Sequence, residues 1–438
     1  MSSFTRRLAR RNWVSDASEN RVDEICSALP RDTASLLDTI EGLITHNTQI
    51  HDIDAVNLNP ATNTMSQRAT SALRSNLSSR TSLGYAGDKY EMGLEAIEQI
   101  EVVAAELAAS IFNSDHAEIR VPSGTMANLY AFMSTTKPGD SIIVPPSSIA
   151  GHVTHHSPGA AGLYGLDIHE APIDATNYTI DVEALASLAE QVQPRLITVG
   201  ASLNLTHHNV AGIREAADLN GAHVLFDAAH LSGPIAGGAW PNPLDQGAHL
   251  MTMSTYKSLG GPTAGLVATN DAELAERIDH IAFPGLTANF DVGKTAALAV
   301  TLAEWLTDGA RRAQAMIECA QRLAAELVSL GVAVHHCGEI ATQSHAFALD
   351  ARQTGGGSAT ALHLRRANIL ASAIGLPTGG NDGVRIGTNE LIRLGATAND
   401  MPGLADLIAQ ALASSTPEDL ARTVTHWRSK HLETAVPR

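Results

Sequence analysis

Val224-Leu225-Phe226-Asp227-Ala228-Ala229-His230 is followed, thirty positions after its aspartate, by Lys257 in Met253-Ser254-Thr255-Tyr256-Lys257-Ser258-Leu259-Gly260-Gly261-Pro262. The first stretch reads as a buried strand ending in a carboxylate. The second reads as another strand that runs into a small, hydroxylated, glycine-rich turn carrying an amine. A carboxylate at the C-terminal end of such a strand faces the crevice where α/β sheets bind ligands. A carboxylate for a pyridinium nitrogen and an amine for a Schiff base are two parts that a pyridoxal phosphate site requires. Asp227 taken alone has a second reading, as the cap of the next helix. Lys257 has one as a solvated surface lysine, although its small neighbours are unusual for a solvated face and suit a nucleophile of depressed pKa.

Outward from this pair, short apolar runs alternate with helical stretches. The runs are Ser141 to Val144, Leu163 to Ile168, Leu196 to Ala201, His223 to Phe226 and Gly265 to Ala268, with helices expected over Ile180 to Gln191 and Gly212 to Asn220. Such alternation predicts an α/β fold with a mostly parallel sheet and helices on both faces. Before it, Ile97, Ile100, Val103, Leu107 and Ile111 recur at three- and four-residue steps over Glu95 to Phe112, an amphipathic helix. After the helical Gly293 to Leu330 come strand-like Ala333 to His336, Ser344 to Leu349 and Gly383 to Gly387. A turn at Gly355 to Ser358 and helices near Thr360 to Ala373 and Asp400 to Ser414 complete a smaller α+β unit. The expected division is an N-terminal helical arm at 1–55, a large domain at 56–300 and a small C-terminal domain at 301–438.

The 438 residues exceed what one hydrophobic core usually serves, so more than one domain is the default. With 29 basic and 46 acidic residues the formal charge is -17, which repels nucleic acid and anionic lipid and argues against a binding protein for either. Cys26, Cys319 and Cys337 are far apart and without CxxC spacing, so the sequence implies no disulfide framework and no zinc site, and a reducing cytoplasm fits. Arg6, Arg7, Arg10 and Arg11 are not followed by an apolar stretch of a targeting signal, and no run of about 18 apolar residues suggests a membrane span.

Three further groups of residues bear on chemistry. Ser123-Gly124-Thr125 stands at the expected start of a helix, where unpaired N–H groups and the helix dipole favour a phosphate; an ordinary N-cap is the alternative. His152, His155 and His156 form one imidazole cluster and His207-His208 another. No acidic or cysteine partner lies at ligand spacing, so an imidazole stacked on an aromatic cofactor is favoured over metal ligation, and no metal is expected. Arg385, in an otherwise apolar strand, needs an anion: either the carboxylate of an amino-acid substrate or an internal acid. His230 is placed to reach the 3-oxygen of the ring or the substrate.

Together these segments resemble the serine hydroxymethyltransferase family of fold-type-I pyridoxal phosphate enzymes, in consistent order from about Val56 to Ala411. Ser123-Gly124-Thr125 resembles its phosphate loop, Gly151-His152-Val153-Thr154-His155 its ring-stacking segment, and Gly200-Ala201-Ser202 a further cofactor contact. Asp227-Ala228-Ala229-His230 is similar to Asp-Met-Ala-His, Thr255-Tyr256-Lys257 to Thr-His-Lys, and Phe283-Pro284-Gly285 to Phe-Pro-Gly. Arg385-Ile386-Gly387-Thr388 is similar to its carboxylate-binding motif. The resemblance implies fold-type-I architecture and a homodimer or higher homo-oligomer with a shared active site. It implies cofactor contacts from Ser123, Gly124, Thr125, His152, Ser202, Asp227, His230, Thr255 and Lys257. Lys257, His230 and His152 are expected in catalysis, and Arg385 and Tyr85 at the substrate.

The departures narrow the chemistry. A family serine that helps hold the substrate carboxylate is Ala61 here. The family's Tyr-Ala-Glu-Gly-Tyr is Thr81-Ser82-Leu83-Gly84-Tyr85, and a later tyrosine is Glu91. Leucine cannot exchange protons, so folate-dependent transfer loses the glutamate that meets the hydroxymethyl group while Schiff-base chemistry is retained. The expected reaction is aldol-type cleavage or formation of the Cα–Cβ bond of a threonine-like or α-methylserine-like amino acid, giving an aldehyde and glycine or alanine. The alternatives are tetrahydrofolate-dependent hydroxymethyl transfer and other fold-type-I amino-acid reactions.

Overall fold

Seven strands form one sheet in the order His116–Val121, Gly265–Thr269, Leu250–Ser254, His223–Asp227, Leu196–Val199, Ser141–Val144, Asp167–Glu170 in a computed structural model that describes residues 7–380 and 382–433. Arg6 and the rest of the first six residues of the expected arm, and the last five of the expected C-terminal domain, lie outside the described residues. Gly265–Thr269 runs antiparallel to both its neighbours; every other pairing in this sheet is parallel, so six strands point the same way. Helices on both faces remove water from the central strands, which is why they read as continuous apolar runs. Val224, Leu225 and Phe226 are buried, each contributing about 1.5–3 kcal/mol of transfer free energy.

Several boundaries differ from the sequence reading for local reasons. Leu163 ends a short helix, Ala160–Leu163; the chain turns at Gly165, whose φ of +85° favours glycine, and the strand is Asp167–Glu170. The helix expected to reach Ala373 stops at Arg366, Asn368 takes a left-handed φ of 62°, and Ile369–Leu370 and Ser372–Ile374 are strands. Ala333 to His336 contributes only the bridge Val334 to Leu349. The amphipathic helix Glu95–Phe112 buries Ile97, Ala104, Ala108 and Phe112, leaving Val103 half exposed.

The C-terminal part is built on the antiparallel sheet Ala346–Asp350, Gly383–Gly387, Ser372–Ile374, in which Arg385 lies opposite Ala348 on one side and Ser372 on the other. Val56–Asn57 pairs in parallel with Ile369–Leu370, which brings the chain just after the N-terminal helices beside this sheet. The helix Val292–Ser329 runs across position 300 and packs on Glu95–Phe112 and Gln67–Leu73.

Candidate functional site

The parallel strands deliver four loops to one edge of the large sheet: Ser123 to Thr125 after Val121, Gly200 to Ser202 after Val199, Asp227 to His230, and Thr255 to Lys257 after Ser254. One cavity at this edge is lined by Ser123, Gly124, Thr125, Asn128 and His152, and across from them by Ser202, Asp227, His230, Tyr256 and Lys257. Two glycines fit there because nothing larger would. A Cβ at Gly124 would stand 2.1 Å from Ser254 Oγ, and one at Gly200, whose φ is +87°, would stand 2.3 Å from the Asp227 carbonyl oxygen. A larger groove, about 1170 Å³, lies elsewhere and contains Tyr85 but none of the other expected site residues.

Asp227 is held by three groups. Its Oδ2 accepts hydrogen bonds from Asn128 Nδ2 at 2.9 Å and pairs with His155 Nε2 at 3.0 Å, and its Oδ1 accepts from the Ala229 N–H at 3.0 Å. Asn128 is itself oriented by Thr252, whose hydroxyl donates to Asn128 Oδ1 at 2.6 Å. Burial opposes charge on this carboxyl, yet the His155 and Asn128 bonds and the Lys257 cation outweigh it and hold Asp227 well below the usual carboxylate range. The helix-cap alternative fails, because the next helix is Ser232–Ala236 with Leu231 at its cap position. Neither Asn128 nor the Asp227 partnership of His155 was anticipated; the signal for Asn128 was its place one helical turn after Gly124.

Lys257 is buried, not solvated. Its loop is tied at several points: Asn63 Nδ2 donates to the Lys257 carbonyl at 2.9 Å, Ser258 Oγ donates to the His230 carbonyl at 2.7 Å, and Trp305 Nε1 donates to the Leu259 carbonyl at 2.8 Å. Burial pushes the Lys257 ammonium down to about 8, against the opposing pull of Asp227.

The histidines differ in what they offer. His152 Nδ1 accepts from the Thr154 N–H at 3.3 Å and lies 2.9 Å from the Thr154 hydroxyl, so its proton sits on Nε2, on the edge of a ring that lines the cavity. Burial lowers His152 to about 4 and takes His230 well below its ordinary value, so both are uncharged at neutral pH. His230 Nε2 is 3.4 Å from Arg385 Nη1, and its buried Nδ1 has no hydrogen-bond partner among the described residues. Arg385 Nη1 donates to the Ser202 carbonyl at 2.9 Å and Nε to Ser372 Oγ at 2.7 Å. No carboxylate lies within ion-pair distance of it among the described residues, so the internal-acid alternative is not realised.

Ser123 is an N-cap, accepting from the Met126 N–H at 3.2 Å, and the first i to i−4 bond runs from Ala127 to Ser123. The N–H groups of Gly124 and Thr125 precede that bond and have no carbonyl in their own helix. Capping and anion binding are therefore compatible here. The buried amine, the ionised carboxylate, the first-turn N–H groups and the orphaned His230 Nδ1 together fit a phosphorylated pyridine aldehyde.

Three expected residues, Arg385, Thr255 and Tyr85, are not among those that line the cavity, although Arg385 bonds the lining Ser202. Thr255 turns its hydroxyl to the Pro262 carbonyl at 2.5 Å. Tyr85 donates to Asp279 Oδ2 at 2.8 Å and sets its ring edge-on against Phe283, in the separate groove. Leu83 and Glu91 flank the hairpin that carries Tyr85, strands Gly84–Tyr85 and Asp88–Lys89, and the Leu83 N–H donates to Glu91 at 3.3 Å. His156 bonds the Pro145 carbonyl and His208 bonds Asn204. No group of three or more potential metal ligands occurs among the described residues, and none of their helices is long and apolar enough to cross a membrane.

A sequence model of the serine hydroxymethyltransferase family matches residues 38–408 of this chain. An α-methylserine aldolase of Variovorax paradoxus is 56% identical over 427 residues, covering 96% of this chain and 97% of that protein. An α-methylserine aldolase of a Ralstonia species is 47% identical over 96% of this chain and 98% of its own. A serine hydroxymethyltransferase of Methanopyrus kandleri is 38% identical over 80% of this chain and 83% of its own.

Proposed function

The chain belongs to the serine hydroxymethyltransferase family, and from that premise we propose that it is a pyridoxal-phosphate-dependent aldolase. Its substrates are β-hydroxy-α-amino acids of the α-methylserine type, α-methylserine itself giving formaldehyde and alanine. The observation that carries the reading is Arg385, a guanidinium with no acidic partner among the described residues that bonds the cavity-lining Ser202 and stands 3.4 Å from the cavity-lining His230, in a chain 56% identical to an α-methylserine aldolase. Bound pyridoxal phosphate supplies the electron sink that takes the electron pair of the broken Cα–Cβ bond. Ser123 and the N–H groups of Gly124 and Thr125 hold its phosphate, and Asp227, kept ionised by His155 and Asn128, keeps a proton on the ring nitrogen. His152, in the cavity lining, would contact the bound cofactor and has Nε2–H to donate. Arg385 would grip the substrate carboxylate and so orient the amino acid in the site. His230 stays uncharged beside that guanidinium. Lys257 carries the cofactor and, as a free amine, is a base placed in the same cavity.

The same reading covers assembly and setting. We assign a homodimer or higher homo-oligomer, supported by Leu37, Ile40 and Ile44, each more than half exposed on the helix Thr33–Thr48, which buries no residue in the single chain. In that assembly Tyr85, distant from its own chain's cavity, serves the site of a second copy. The arm at 1–55, large domain at 56–300 and small domain at 301–438 are kept as the division, with the cytoplasm as its location, consistent with three free cysteines.

Initial rates with α-methylserine, serine and threonine across a tetrahydrofolate titration test the reaction. Aldehyde release is expected at a rate indifferent to folate and greatest with α-methylserine. Saturable stimulation, with the one-carbon unit recovered on folate, would establish the transferase alternative instead.

The depressed Lys257 sets a pH dependence. Only the free amine attacks an aldehyde, so capture of pyridoxal phosphate by cofactor-free protein accelerates as pH rises and levels off above about 8. Stopped-flow absorbance from pH 6.5 to 9.5, on the order of the range bracketing that value, reads it directly. A rate still climbing tenfold per unit at the top of this range would mean an unshifted lysine.

A further inference from the structure

The fork of Arg385 is set by a residue from the neighbouring strand. Ser372 lies directly opposite Arg385 in the antiparallel pairing, on the same face of the sheet. Arg385 Nε donates to Ser372 Oγ at 2.7 Å, and Ser372 Oγ donates to Asn59 Oδ1 at 3.0 Å. The polarity is forced from the far end. Asn59 Oδ1 also receives the Ala61 N–H at 3.1 Å, and a backbone N–H can only donate, so this atom is the amide oxygen. The single serine proton therefore points to Asn59, and its lone pairs point to the guanidinium. Asn59 is in turn anchored, its N–H donating to Asn57 Oδ1 at 3.0 Å, while Asn57 Nδ2 donates to the buried Glu390 at 2.7 Å.

An arginine can present a carboxylate with either of two edges, Nε with Nη2 or Nη1 with Nη2. Ser372 occupies Nε, the Ser202 carbonyl takes one proton of Nη1 at 2.9 Å, and His230 Nε2 lies at a longer 3.4 Å from the same nitrogen. Nη2 has no hydrogen-bond partner among the described residues. We propose that Ser372, locked by Asn59, is a positioning residue that closes the Nε edge of Arg385 and commits the guanidinium to gripping the amino-acid carboxylate through its Nη1–Nη2 edge. This rests on the assignment of Arg385 to the substrate carboxylate. It also gives the segment around Ala61, which lacks the family's serine hydroxyl, a part in carboxylate recognition by way of its backbone N–H.

Holoenzyme variants Ser372→Ala, Ser372→Val and Ser372→Thr test it, with Arg385→Lys as the control for the underlying assignment. Ser372→Ala and Ser372→Val are expected to raise KM for α-methylserine about tenfold with kcat within about twofold, the size of a lost hydrogen bond to a charged group. Ser372→Thr, which keeps the hydroxyl, stays within about twofold of the parent in both. Binding of 2-aminopropan-1-ol, the substrate without its carboxylate, followed by the change in cofactor absorbance, is unchanged in all three. An unchanged KM in the alanine and valine variants, with a raised KM in Arg385→Lys, overturns the role of Ser372 alone. An equal loss of affinity for the amino alcohol overturns it as well, by showing general damage. An unaltered KM in Arg385→Lys instead removes the carboxylate assignment on which it stands.

Discussion

Lys257→Ala is expected to lower turnover by roughly a thousandfold or more, because one side chain supplies both the covalent attachment of the cofactor and an amine able to move protons in the cavity. Burial makes this amine reactive, the Asn63 and Trp305 bonds hold its loop in place, and no other lysine lines the cavity among the described residues. Borohydride treatment of the parent protein should fix pyridoxal phosphate to the peptide containing Lys257, with loss of the visible band. The alanine variant should show neither the band nor the labelled peptide while keeping its circular dichroism. Label on a different peptide, or a visible band surviving in Lys257→Ala, would remove this residue from the role.

Asp227→Asn is expected to fold and to retain cofactor, yet to lose on the order of a hundredfold or more in kcat, the scale of deleting one preorganised electrostatic partner. The asparagine keeps the size and shape of the side chain, and its single amide oxygen can accept from either Asn128 or the Ala229 N–H, so the fold persists. What it lacks is the charge that holds a proton on the ring nitrogen. A second consequence follows from the same charge. Asp227 pulls the Lys257 value upward, so its neutralisation lowers the pH at which the amine becomes free. The pH at which cofactor capture levels off should therefore move below about 8 in this variant. Near-normal turnover with full cofactor occupancy would return Asp227 to a purely structural part.

Much of the architecture was legible because strands buried on both faces, the antiparallel Gly265–Thr269 included, leave a continuous apolar run. The runs at 141–144, 196–199, 223–227 and 265–269 appear where their apolar stretches stand, since both faces of each strand must be covered. Legibility fell where the pattern was short or shared. Thr360 to Ala373 contains helix-compatible residues throughout, and only the left-handed turn at Asn368 divides it into a helix and two strands. Leu163 to Ile168 failed similarly at Gly165.

The sequence by itself determined which chemical groups are available: an amine in a small-residue turn, a carboxylate ending a buried strand, a phosphate-compatible helix start and a lone arginine among apolar neighbours. These are local properties, carried by residue type and by what stands within a few positions. Only the tertiary structure decided their partners. It paired Asp227 with Asn128 and His155, 99 and 72 positions away, turned Thr255 and Tyr85 out of the cavity, and left Arg385 without an acid. It also brought Asn59 to Ser372 across 313 positions, through a two-residue parallel pairing that no local pattern announces. Hydrogen bonds of this kind are selected by which loops the strand order places at one sheet edge. Strand order is set by packing of distant segments, and no periodicity in the chain records it.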